Sequence, residues 1–69
     1  MIFKEEVIWR YLNDKGVYNI SDVKVSRIRE NSISYDYVKN NDQYFGSISK
    51  KIYLKYYRKY KLEEFLNYV

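Results

Sequence analysis

The chain has 69 residues, 13 Lys or Arg against 9 Asp or Glu, a formal net charge of +4, and no Cys, His or Pro. That length holds one domain, residues 1–69, and the missing Cys and His exclude a disulfide framework, a thiolate zinc site and the commonest general base. The core must rest on packing alone, with 10 Tyr, 3 Phe and 1 Trp as much of its apolar material, so some tyrosines must sit at the core boundary where water reaches their hydroxyls.

Residues 2–15 read as a helix. At about 100° per residue Phe3, Val7, Ile8, Tyr11 and Leu12 fall on one broad face, and Gly16 follows as a C′ stop. Trp9 lies off that face, where it either packs against a strand or anchors a partner. From Val23 the texture changes to period two. VKVSRIRE, SISYDYVKN and QYFGSIS, separated by turn-prone Glu30-Asn31 and Asn41-Asp42, predict a three-stranded antiparallel meander. A second turn centred on Asn41 and Asp42 sets Tyr37 across from Gly46 and Tyr35 across from Ile48. Ile33, Tyr35, Tyr37, Tyr44 and Ile48 then share a core face, while Ser34, Asp36, Phe45, Ser47 and Ser49 share the other. An aromatic ring across from Gly46 covers backbone that the glycine leaves bare. In the first strand either Val23 and Val25 or Ile28 face inward.

Residues 50–60 alternate like a strand but sort better as a helix, with Ile52, Tyr53, Tyr56, Tyr57 and Tyr60 on one side and Lys51, Lys55, Arg58 and Lys59 on the other. Length and the lack of a turn signal favour the helix, with Ser47 or Ser49 as N-cap. Leu62, Phe65, Leu66 and Val69 form a further i, i+3, i+4, i+7 stripe, rotated by roughly 180° from the tyrosines. One straight helix cannot bury both stripes against one core. Either it breaks near residue 61, or its halves face different surfaces, one of them a partner. The expected fold is α+β: an N-terminal helix, a three-stranded meander and a C-terminal helix.

Phe, Ile, Lys, Asn and Tyr make up just over half of the chain. All are encoded largely by A/T-rich codons, which accounts for the composition but not for where charges cluster. Lys50 to Lys61, KKIYLKYYRKYK, carries six cations, no acid and four interleaved tyrosines, so the remainder of the chain sums to −2. Cations beside flat amphipathic rings suit a phosphate backbone or the face of a protein partner. A structural helix would usually intersperse Glu among such lysines, whereas the tyrosine stripe has a simpler account as core.

Catalysis has little to work with. No His can activate the serines, and the adjacent pairs Glu5-Glu6 and Glu63-Glu64 point about 100° apart on helices, so they do not converge as acid and base. No metal or other cofactor and no Gly-rich phosphate loop is expected. The chain has the residue types of small metal-independent toxin-type ribonucleases, a minor alternative resting on size and composition. Insertion into a membrane surface is not expected, because the face opposite the lysines offers Tyr in place of Leu, Phe and Trp. MIFKEEVIW lacks the pattern of a secretory signal and no apolar run approaches the roughly 20 residues of a span, so a cytoplasmic location is expected.

Over about residues 23–60, a three-stranded sheet plus a helix with arginines on a strand is similar to the sheet-type DNA-binding domains of integrase N-termini and AP2-like proteins, without their Gly/Trp pattern. The expectation is a small non-catalytic intracellular binding protein, of the kind phages and mobile elements encode as accessory factors or inhibitors of host defence or replication. Lys51, Lys55, Arg58 and Lys59, joined by Arg27 and Arg29 from the sheet, are the expected contacts to nucleic acid or a nucleoprotein complex. The alternative is a protein-interaction module or homodimer, binding a host protein or itself through Trp9, Leu62, Phe65, Leu66 and Val69.

Overall fold

Helix α1, Glu5–Asp14, opens the fold in a computed structural model that describes residues 3–66. It starts later than the expected residue 2, because Lys4 is extended and has no side-chain oxygen with which to cap a helix. The Lys4 N–H instead donates to the Tyr53 hydroxyl at 2.8 Å, while Glu5 and Glu6 complement the positive end of the helix dipole. The C-terminus closes as a Schellman motif. Val17 N–H donates to Leu12 O at 2.9 Å and Gly16 N–H to Asn13 O at 3.0 Å, with Gly16 at φ +89°, a conformation that costs glycine nothing. Gly16 is thus the stop that its position implied.

Three antiparallel strands follow in the order β1-β2-β3: β1 Ile20–Ile28, β2 Ser32–Lys39 and β3 Asp42–Ser49. The β2–β3 turn is centred on Asn40 and Asn41, one residue earlier than the sequence suggested. Both have positive φ, 53° and 65°, as a two-residue type I′ hairpin turn demands, and Asn tolerates that region better than most residues. Asp42 is therefore paired with Lys39, and Tyr35, not Tyr37, lies across from Gly46; Tyr37 meets Tyr44 and Ile33 meets Ile48. Moving the turn by one residue shifts the register by two, so every side chain keeps its face, but Tyr44, expected in the core, is 42% exposed at the end of that face.

Two irregularities in β1, between Ser21 and Lys24 and between Val25 and Arg27, decide its facing. Asp22 sits at φ 52° in the first of them. Val23 and Val25 pack against the core. Ile28 lies across from Ile33 on the same face but remains 52% exposed. The bulges thus turn both alternatives inward, and only the valines are covered.

Strand β3 runs directly into α2, Lys50–Leu66. Ser49 is the N-cap, its Oγ accepting the Ile52 N–H at 3.1 Å. The helix is unbroken through residue 61, so its two stripes do face different surfaces, and Ile52, expected among the buried tyrosines, is 40% exposed. Val69 lies outside the described residues.

Both helices cover one face of the sheet, α1 against β1 and α2 against β3, and pack on each other. Val7, Ile8, Leu12, Ile33, Tyr35, Ile48 and Tyr53 form the buried core. Each fully buried aliphatic side chain contributes about 1.5–3 kcal/mol. Tyr53 is its largest fully buried member, packed edge-on against Phe3 at 5.0 Å between centroids. Among the described residues no layer covers the other sheet face, and Phe45 there is 74% exposed.

Candidate nucleic-acid interface

With Tyr53 pointing into the core, helical geometry places Lys51, Lys55, Arg58, Leu62 and Leu66 within about 40° of the opposite direction, flanked at about 60° by Lys59 and Phe65. All seven are exposed. The cations and the C-terminal apolar residues therefore form one solvent-facing strip, basic in its first half and apolar in its second. The rotation of both sets away from the tyrosines was already visible in their spacing. What the spacing did not reveal is that they belong to one surface, because a broken helix would have separated them.

The cations on this strip have no ion-pair partner among the described residues. Among the described residues, ion pairs join Arg10 to Glu6 at 3.7 Å, Arg10 to Glu63, and Lys61 to Glu64 at 3.5 Å. None involves Lys51, Lys55, Arg58 or Lys59. The helix dipole does not stabilise them either: Lys50 and Lys51 occupy the positive N-terminal turn, where no acid is present. Helix electrostatics is thus breached here with no ion pair among the described residues to offset it.

Arg27 and Arg29 lie elsewhere. Arg27 is across from Ser34, and Arg29 donates its N–H to Ser32 O at 2.8 Å, continuing the pair toward the hairpin turn. This register puts them on the face away from α1 and α2, in company with Lys24, which pairs with Asp36 across from the exposed Phe45. The two expected halves of the cationic site are thus on opposite layers. Lys24 was missed because the β1 bulges that bring it beside the arginines leave no trace in a period-two reading.

Trp9, 43% exposed, borders a groove of about 470 Å³ between α1 and α2. Tyr18 from the loop after α1, Tyr56 from α2 and Lys59 line it as well. A smaller hollow beside it is bounded by Lys55, Lys59, Tyr56 and Asp14. Trp9 therefore shares its groove with Lys59 of α2. The groove walls are tied down. Tyr56 donates its hydroxyl to Asp14, which holds the phenol above the usual tyrosine range, and its ring meets Tyr11 edge-on at 5.5 Å. Arg10 is bound to Glu63, a contact that raises its pKa further, and lies 5.4 Å from the Tyr60 ring centroid.

Among the described residues no three His, Cys, Asp or Glu side chains converge to hold a metal ion, and no helix is long and apolar enough to cross a membrane. No protein-family profile, curated protein or solved structure matches the chain.

Proposed function

We propose that this protein is a small binding protein that holds nucleic acid on the outward face of α2, without catalysis, as a phage or mobile-element accessory factor would. The observation that carries the reading is the set Lys51, Lys55, Arg58 and Lys59, exposed on one helix face with no ion-pair partner among the described residues. Exposed cations concentrated in this way release counterions from a phosphate backbone when they bind it, a sequence-independent attraction that salt weakens. Arg27, Arg29 and Lys24 form a second, separate cationic face on the sheet.

The test is a titration of fluorescently labelled DNA and RNA at about 50 and 200 mM salt, with the wild type and a variant carrying Gln at Lys51, Lys55, Arg58 and Lys59. Binding should be steeply salt-dependent in the wild type, and its log–log salt slope should fall by about 0.7–0.9 for each phosphate contact removed. Unchanged affinity in a folded variant would remove α2 as the site. RNA recovered uncut after the titration argues against the ribonuclease alternative.

A second reading is supported by Leu62, Phe65 and Leu66, which are 59%, 65% and 58% exposed at the end of the same strip. Such a run of apolar side chains suits a protein partner or a second copy of the chain. Leu66→Asp should convert an oligomer to monomer by light scattering. An unchanged mass in the folded variant counts against self-association.

A further inference from the structure

We infer that the ligand of this surface is single-stranded nucleic acid, with a base held in the groove between α1 and α2 and the adjoining phosphates on Lys55 and Lys59. The inference rests on the nucleic-acid reading above and adds the kind of strand. Trp9, Tyr18 and Tyr56 come from three different segments, α1, the loop after it and α2, yet border one groove. An A/T-rich codon pool explains many tyrosines; it does not explain their convergence on the chain's single tryptophan.

The groove and its rim divide the chemistry as a nucleotide does. Both carboxylates in the groove are engaged, Glu63 by Arg10 and Asp14 by the Tyr56 hydroxyl, so its wall presents aromatic faces beside carboxylates that already have partners. Lys59 lies at the groove and Lys55 beside it in the adjoining hollow. A neutral planar base fits the first environment and an anionic backbone the second. The groove volume of about 470 Å³ falls in the range of small-molecule sites, roughly 300–1,000 Å³. In a duplex the base faces are stacked on one another and cannot enter, so a duplex would engage the cations alone.

Trp9 also supplies the readout, being the only tryptophan in the chain. Its fluorescence, excited where tyrosine does not absorb, is followed while the full chain is titrated with oligothymidine, oligouridine and a blunt-ended DNA duplex of two annealed strands. Anisotropy of labelled oligonucleotides reports binding independently. Single strands should quench Trp9 and the duplex should not. In Trp9→Leu, single-strand affinity should fall about tenfold while duplex binding stays unchanged, as expected for the loss of one base-stacking contact. The oligothymidine and oligouridine arms distinguish DNA from RNA. Single-strand binding without quenching, or with full affinity in Trp9→Leu, would overturn the base groove and leave the cationic strip standing. Absence of binding to any of the three at low salt would overturn both. If Trp9→Leu does not fold, the quenching comparison in the wild type still decides.

Discussion

Tyr35 and Gly46 show how one pair of side chains sets local packing. The Tyr35 ring lies over the Gly46 backbone, and a Cβ added there would stand 2.6 Å from the Tyr35 hydroxyl oxygen and 2.7 Å from Cζ. Tyr35 is 5% exposed and stacks on Tyr37 at 6.2 Å, so its ring has little room to swing away. Gly46→Ala is expected to cost about 1–3 kcal/mol by overpacking. For a domain of this size each kcal/mol lowers the melting temperature by about 4–8 °C, which thermal denaturation reads directly. An unchanged midpoint would mean that the Tyr35 ring can move. The sequence pointed to an aromatic ring over this glycine but named Tyr37, an error that followed from centring the turn on Asn41 and Asp42 when only Asn40 and Asn41 together meet the positive-φ demand of a type I′ turn.

At the scale of elements, α2 is held by its flanks more than by its own electrostatics. Cations fill its N-terminal turn and Glu63 and Glu64 lie in its last turn, both opposed to the helix dipole. Ser49 offsets part of this by capping the Ile52 N–H at the point where β3 becomes helix. Ser49→Ala should therefore destabilise the protein by about 1 kcal/mol, read by urea denaturation, while Ser47→Ala should have little effect. Equal effects would show that the cap is not confined to Ser49. The cap was legible in sequence as one of two serines; the choice depended on where the strand ends, which pairing with β2 fixes at Ser32 and Ser49. The β1 bulges were not legible, because a period-two reading assumes an unbroken ladder.

For the whole molecule, the absence of His removes the side chain that ordinarily titrates near neutral pH, and the buried tyrosines are among the groups that couple stability to pH in the alkaline range. Burial raises the pKa of both Tyr35 and Tyr53, in the latter against the opposing hydrogen bond from the Lys4 N–H. Ionisation is thus harder in the folded chain than in the unfolded one. This contribution to stability is complete below the ordinary tyrosine value of about 10 and is lost as pH rises through the raised folded values. The denaturation midpoint should fall above about pH 10, and Tyr53→Phe should reduce the fall. A midpoint that held constant into that range would show that neither hydroxyl differs between the two states.

Periodicity by itself determined the α+β order, the facing of β2 and β3, the Gly16 stop and the basic face of α2, because side-chain direction along a helix or strand follows from local geometry. Tertiary structure decided the rest. Arg27 and Arg29 left the α2 cations because the sheet has two sides and α2 covers only one. Trp9 joined Lys55 and Lys59 because α1 packs against α2. The Leu62, Phe65 and Leu66 stripe became a continuation of the cationic strip because the helix does not break. Each outcome depends on contacts between residues distant in sequence, which a local pattern cannot specify.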